Sequence, residues 1–411
     1  MKGNEAGKSY RNVYFFYIVC IFFTVFDGVR GVQSPSYFPF SFLRDFFLFM
    51  LFIMSFSLID KVKYTKEFLV LFLSQIAILI YTLVTSILVA NNTVYVRSSA
   101  VMIQYQEYGA GLGVWAKSLT FVLLTFSSYY LAKRMGKEFV LKTIKWVVYA
   151  TFLYSLITIV IFVCFPQLAI KLSYWGGRLS LGYPTEDVCV LALSLIFLYY
   201  IKIPLSFKVL FFITNLVGLL FQNTLTGFLL LSYVLFFYFI KGRIPTKIIV
   251  IVFLLVMFIG GAIVYNNSEQ FADFGALLHN KINSVLYPDS LNNDPSFYLR
   301  IQQKDMMLQT LLTEPLFLLF GYGGVGGMAV ESGFYSVFGF AGAIGVAIYG
   351  FSILFFIAKS IIKKNLFLFS LVSVYCISAI SIAPLYLMST YWLFSFIIIF
   401  SSLFLVKKEL F

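Results

Sequence analysis

Twelve apolar blocks, most of them long enough to cross a bilayer, follow one another along this 411-residue chain. A membrane-crossing helix needs about 20 mainly apolar residues, and fewer when flanking residues can snorkel. The blocks lie near residues 13–27, 40–59, 68–89, 116–132, 144–165, 187–201, 206–221, 226–240, 248–265, 336–358, 366–382 and 386–406. Only 11% of the residues are charged, against about 25% in soluble domains. That is too little charge to solvate a water-facing surface. The expected fold is all-α: a polytopic membrane protein of about twelve transmembrane helices, with residues 1–411 forming a single integral membrane domain.

The sign of the charge fixes an expected orientation. With the N-terminus cytoplasmic, the inner segments hold twenty-one of the thirty lysines and arginines, among them Lys2, Lys8, Arg11, Lys133, Arg134, Lys137, Lys359, Lys363, Lys364, Lys407 and Lys408. The excess recurs at every inner loop, as the positive-inside rule requires. Both termini are then cytoplasmic, and the net charge of +13 is a topology signal rather than an invitation to nucleic acid. The first block follows Lys2, Lys8 and Arg11 as a signal peptide's would. No small-residue cleavage site comes after it, so it reads as an uncleaved first helix.

Metal chemistry has little to stand on. Cys20, Cys164, Cys189 and Cys376 sit far apart in apolar stretches without CxxC spacing. His279, the single histidine, has no cysteine or carboxylate at ligand spacing. Neither a metal nor a cofactor is expected. Arg44 and Asp45, inside the outer end of the second block, are expected to pair and so lower the cost of burial.

The outer connections are longer and chemically richer than the inner ones. The largest extracytoplasmic loop, residues 266–335 between helices 9 and 10, holds Asp294-Pro295 ahead of a helical stretch over about 295–312. Asp294 reads as N-cap and Pro295 as first-turn residue, and the helix should stop before Pro315. Phe297, Ile301, Leu308 and Leu312 form an apolar stripe at helical spacing, with Arg300 and Lys304 one turn apart on a neighbouring face. Two such cations suit phosphate oxygens, although a solvated helix face with Asp305 and Glu314 nearby has the same pattern.

Two other outer segments stand out. Trp175-Gly-Gly-Arg178-Leu-Ser-Leu-Gly-Tyr183-Pro-Thr-Glu-Asp187 sets an arginine among glycines and aromatic rings, as a diphosphate beside a sugar would need. An aromatic interface belt with a snorkelling arginine gives the same composition. After the loop helix, Phe320-Gly-Tyr322-Gly-Gly-Val-Gly-Gly-Met precedes Glu331. It lacks the Gly-Lys-Ser/Thr ending of a nucleotide loop. Glu331 is either a general base for a sugar hydroxyl or favourable charge at a helix N-terminus.

Twelve spans with a large loop between the ninth and tenth, Arg178-Leu-Ser-Leu-Gly-Tyr-Pro-Thr before the sixth, and Arg300 followed by a helix, Glu-Pro-Leu-Phe and Phe-Gly-Tyr-Gly together resemble the Wzy-type O-antigen polymerases and the related O-antigen ligases. The likeness covers most of the chain as layout and about sixty residues as motif. Ligases carry a histidine in the segment leading into the tenth span; here Glu331-Ser-Gly-Phe-Tyr-Ser stands in that place, which favours the polymerase. The resemblance implies a metal-independent glycosyltransferase of the bacterial inner membrane, active on the periplasmic face. Donor and acceptor would be undecaprenyl-diphosphate-linked glycans, and a chain-length regulator is a possible protein partner. It implies that Arg178 and Arg300 hold the lipid diphosphates in catalysis; beside them Glu331 is expected to be catalytic and Lys304, Tyr183 and Tyr322 to bind substrate. The alternatives are a ligase or other lipid-linked glycan transferase, and a lipid-linked oligosaccharide flippase. Coupled transporters usually keep ionisable residues near the midplane, where this chain has almost none outside Arg44 and Asp45.

Overall fold

A computed structural model describes residues 2–26, 40–56, 64–89, 108–165, 167–168, 184–222, 224–242, 247, 283, 287, 295–313, 315–321, 332–381 and 388–403. Among the described residues every regular element is helical. In chain order they are α1 (Lys2–Phe26), α2 (Phe40–Phe56), α3 (Lys66–Val89), α4 (Tyr108–Cys164), α5 (Pro184–Tyr200), α6 (Leu205–Phe221), α7 (Leu225–Lys241), α8 (Pro295–Thr313), α9 (Pro315–Phe320), α10 (Gly333–Ile362), α11 (Leu366–Ser378) and α12 (Met388–Leu403). Helix lies on eleven of the twelve apolar blocks, and the ninth, 248–265, falls outside the described residues. Among the described residues two stretches, Val122–Cys164 and Ala341–Ile362, are long and apolar enough to cross a membrane, and five shorter apolar helices accompany them. Local sequence sets the ends: proline opens α5, α8 and α9 at the first position. Thr224 caps α7 by accepting from Gly227 N at 2.9 Å, and Asn365 caps α11 by accepting from Leu368 N at 3.0 Å.

The helices fall into two compact units, the first made of α1, α2, α3, α4 to Val147, α8 from Leu299, and α9 to α12. Within it α4 breaks at Gly136, whose φ of 68° and ψ of −152° are closed to other residues. Tyr17 on α1 lies against Ser128 before the break and against Phe139 and Thr143 after it. On a straight helix residues 128 and 143 would be about 22 Å apart, so the chain folds back here. The expected inner loop is thus a glycine reversal within helical backbone, because the lysines, methionine and glutamate around it are good helix formers. The first half of α4 packs antiparallel on α3 through a ladder of rings. Phe68 stacks on Tyr129 at 4.1 Å, Phe72 meets Phe126 at 5.7 Å, and the Tyr64 and Tyr130 hydroxyls share a 2.7 Å hydrogen bond.

Helix α10 runs antiparallel to α3, and Lys359 pairs with Glu67 at one end. Towards the other end of α3 the Tyr81 hydroxyl donates to the Phe320 carbonyl at the end of α9, at 2.8 Å, where α9 abuts Gly342 of α10. Burial pushes the Glu67 carboxyl up, but the hydrogen bond and charge of Lys359 outweigh it and hold the group below its ordinary value. Helices α11 and α12 complete the row, with Tyr349 Oη donating to Tyr375 Oη at 2.9 Å and Phe367 against Phe400 at 4.5 Å.

The second unit holds α4 from Val148 with α5, α6 and α7. A buried polar knot joins three of these helices. Ser155 donates to Asn215 Oδ1 at 3.1 Å, Asn215 Nδ2 donates to Ser194 at 3.2 Å, and Ser194 shares a 2.5 Å bond with Thr151. Tyr238 and Tyr199 donate to the carbonyls of Leu195 and Lys241, both at 2.7 Å, which sets α5 and α7 side by side and parallel.

Three outcomes test this packing. Asn215→Leu strips partners from Ser155 and Ser194, and should lower unfolding stability by roughly 1–3 kcal/mol, read as thermal unfolding in detergent. Gly342, at φ 61° and ψ −162°, would place a Cβ 2.4 Å from the Leu319 carbonyl oxygen. Gly342→Ala should therefore cost more than about 1–3 kcal/mol, whereas Gly350→Ala, with open space around it, should change stability by less than about 1 kcal/mol. The third concerns pH. Because the folded pKa of Glu67 is depressed, the pair's contribution is present above the unfolded value and is lost as pH falls through the folded one. Glu67→Gln should be less stable than the parent at neutral pH, and the gap should close as pH falls below the ordinary carboxylate range.

Candidate functional site

The long loop's helix forms where the Asp294-Pro295 signal puts it, as α8 from Pro295 to Thr313, and Pro315 opens α9 after one intervening residue. Its rotation is the surprise. The buried face carries Gln303, Met307 and Leu311 at 7%, 0% and 1% exposure, and Arg300 lies half-buried on the same side. The apolar stripe expected through Phe297, Ile301, Leu308 and Leu312 is not the packed face where it is described: Ile301 and Leu308 are only partly covered and Leu312 is 68% exposed, while the Phe297 side chain lies outside the described ones. Residues 300, 303, 307 and 311 also follow helical spacing, but this seam carries Arg300 and Gln303, so apolar pattern alone favoured the other one. Lys304, one turn from Arg300, stays more open and meets the neighbouring Asp305 at 3.6 Å.

Past α8 the chain is pinned hard. Gly321 donates to the Phe317 carbonyl at 2.7 Å and turns with φ 72°. The backbone of Leu319 to Gly321 lies so close to Gly342 that no side chain fits between them. Together with the Tyr81 bond to Phe320, this fixes where segment 322–331 departs. Its return is fixed as well, because Gly333 N donates to the Ala379 carbonyl at 2.6 Å. Tyr322 and Glu331 lie between these anchors and outside the described residues, as do Arg178, Tyr183 and His279. Of the six residues singled out in the sequence, the structure therefore describes Arg300 and Lys304, on one helix and one turn apart.

In the second unit, the segment that carries Arg178 and Tyr183 ends at α5, whose first turn buries Thr185, Glu186 and Asp187. Both acids sit where the helix dipole favours negative charge. The Tyr154 hydroxyl donates to Asp187 Oδ2 at 2.5 Å. Sequence reading overlooked this bond, although an acid pair two residues after a first-position proline is a visible signal; Tyr154 carries none, being one tyrosine among many apolar neighbours. The Arg44–Asp45 pair forms as expected, with Nε and Nη2 of Arg44 both 2.9 Å from Asp45 Oδ1. Arg44 is buried to 1% exposure. Among the described residues no group of histidine, cysteine or acidic side chains is arranged to hold a metal.

The rotation of α8 has a direct readout. In a background with the four cysteines replaced by alanine, Leu312→Cys in detergent should react with a maleimide at least about tenfold faster than Met307→Cys, since thiol reactivity follows exposure. Equal rates would contradict the placement of the helix. Compared with family models, with curated proteins and with solved structures, the chain matches none.

Proposed function

We propose that the chain is an integral inner-membrane protein of about twelve spans, with both termini cytoplasmic. On this reading it joins undecaprenyl-diphosphate-linked oligosaccharide units into O-antigen or a related surface polysaccharide on the periplasmic face. The membrane part is supported by the outward faces of the helices. Helix α3 exposes Leu69, Leu73, Ile80 and Val84, α2 exposes Phe46, Phe49 and Ile53, and α10 exposes Phe351, Leu354 and Ile361, all at helical spacing. Soluble monomers rarely leave contiguous apolar patches of more than a few hundred Å² in water; lipid solvates them.

The orientation is supported by the two ends of α3. Glu67, with Lys359 and the nearby Lys363 and Lys364 at the end of α10, marks one end. Tyr81, with Phe320 and the Gly321 turn, lies about 21 Å further along. The lysine-rich end is the cytoplasmic one by the positive-inside rule, which leaves α9 and the C-terminal end of α8 on the far side.

The observation that carries the enzymatic reading is the rotation of α8. A helix that buries the side bearing Arg300 and Gln303 while exposing Leu312 keeps a cation and an amide against the protein and offers leucine to the surroundings. Such a face suits an anionic lipid headgroup entering from the outer leaflet. In the proposed reaction, an acceptor sugar hydroxyl attacks the anomeric carbon of the donor. One C–O bond forms and the bond from that carbon to the diphosphate breaks. Arg178 and Arg300, assisted by Lys304, stabilise the charge that collects on the departing lipid diphosphate. Glu331 takes the hydroxyl proton, and Tyr183 and Tyr322 hold sugar.

The test is genetic. In a strain lacking the protein, the wild-type chain should restore a ladder of repeat numbers. Arg178→Ala, Arg300→Ala and Glu331→Ala, expressed at normal levels, should each leave a single repeat on its anchor. Long chains from all three variants would dismiss the site. In the deletion strain itself, unattached long chains would mean a ligase, and loss of outer-face units would mean a flippase.

A further inference from the structure

Helix α9 has a composition and a setting that a water-filled loop does not call for. Its six residues, Pro-Leu-Phe-Leu-Leu-Phe, are all apolar, and none of them is buried. Leu316 is 65% exposed and Leu319 49%, and Leu312 at the end of α8 is more open still. Single exposed leucines are ordinary; a contiguous run of them marks a surface that something apolar covers.

Depth indicates what covers it. Along α3, Tyr81, which holds the Phe320 carbonyl, lies about 21 Å from Glu67. Along α10, Gly342, which seats the backbone of Leu319 to Gly321, lies about 25 Å from Lys359. Glu67 and Lys359 pair with each other at the lysine-rich end. The hydrocarbon core of a bilayer is about 30 Å thick, so by both measures α9 stops short of the far boundary. Around it the apolar perimeter continues: Ile80 and Val84 flank Tyr81 on α3, and Ile344 follows Gly342 on α10, all exposed.

Backbone and side chains are treated oppositely here. The last four carbonyls of a helix have no partner within it, and in hydrocarbon an orphaned carbonyl is costly, so irregular backbone persists there only against protein. At the end of α9 the Phe317 carbonyl accepts from Gly321 N, the Phe320 carbonyl accepts from Tyr81 Oη, and the Leu319 carbonyl lies against Gly342. In a solvated loop water would serve these carbonyls. Leucines left open while the carbonyls beside them are matched by protein is the division that lipid requires.

We propose that α9 is inserted in the outer leaflet, with its side chains solvated by phospholipid acyl chains. The stretch read from sequence as one extracytoplasmic loop then dips into the membrane before Tyr322. The inference rests on the membrane part of the proposed function and not on the enzymatic part. Its consequence is positional: the segment bearing Tyr322 and Glu331 departs from within the leaflet that would hold a lipid-linked substrate.

The test uses the full-length chain, its four cysteines replaced by alanine, in phospholipid nanodiscs open to solvent on both faces. Single nitroxide labels at Leu316→Cys and Leu319→Cys are compared by power saturation with oxygen, which concentrates in hydrocarbon, and with a polar nickel chelate, which hydrocarbon excludes. Leu73→Cys on the outward face of α3 and Lys142→Cys beyond the Gly136 reversal, both exposed positions, are the lipid and water references. At 316 and 319, as at 73, the ratio of oxygen to nickel collisions should exceed that at 142 by at least about threefold. A ratio at 316 and 319 equal to that at 142, with 73 still preferring oxygen, would put α9 in water and overturn the insertion while the membrane reading stands. Labels at 316 and 319 reached by neither probe would mean that protein covers α9, and would overturn it equally. Should 73 itself match 142, the membrane reading fails and the insertion with it. Thermal unfolding of each labelled variant confirms that folded protein is being compared.

Discussion

Polar pairs buried between apolar helices hold this structure in register. A helix that is apolar on nearly every face gains about as much from one rotation as from another, and on the proposed membrane reading lipid removes the water that would penalise the wrong one. What distinguishes the rotations is whether the few polar side chains find partners. Asn215 can meet Ser155 and Ser194 together only in one arrangement of α4, α5 and α6. Tyr349 reaches Tyr375 only with α10 and α11 in one register, and Ser395 on α12 reaches Thr125 on α4 at 3.0 Å in the same way. Each bond contributes little alone, on the order of 1 kcal/mol. Their specificity comes from the cost of every alternative that leaves them unmade.

Glycine supplies what side-chain pairing cannot, a change of direction inside helical backbone. Gly136 and Gly342 both adopt a conformation with positive φ and extended ψ, which is open to glycine and strained for other residues. Their surroundings differ in a telling way. Around Gly136 there is empty space, so its requirement is purely conformational; at Gly342 the Leu319 carbonyl and Gly321 nitrogen press in at 2.4 and 2.5 Å from a Cβ position. The first is a reversal. The second is a seat, which lets the turn after α9 sink against α10 and anchors the start of the segment bearing Tyr322 and Glu331.

Much of this was legible in the sequence, and the missing part has one physical cause. Apolar block length located the helices, and Asp294-Pro295 with Pro315 bounded α8, because hydropathy and proline act locally. The neighbouring charges Arg44 and Asp45 announced their own pairing. The rotation of α8 was not legible, since residues 301, 308 and 312 make a more apolar stripe than 303, 307 and 311, and the structure buries the latter. Long-range partners were equally silent. Nothing in the local sequence connects Tyr154 to Asp187, Tyr81 to Phe320, or Glu67 to Lys359 across 292 positions.

The last of those pairs joins the charge pattern to the geometry of the outer end. Lys359 belongs to the basic set that reads as cytoplasmic, yet it is only 18% exposed and is paired with a carboxylate on another helix. A lysine serving orientation alone would gain most from full solvation, and an ion pair fully in water would contribute little to stability. Covered as it is, the pair resists axial sliding of α10 against α3, because displacement by one helical turn, about 5.4 Å, would leave two opposite charges poorly solvated and apart. Since α3 also holds the Phe320 carbonyl through Tyr81, the register set at the lysine-rich end is transmitted along rigid helix to the Gly321 turn. On the proposed orientation, one inner lysine therefore serves both topology and the alignment of a segment about 20 Å away.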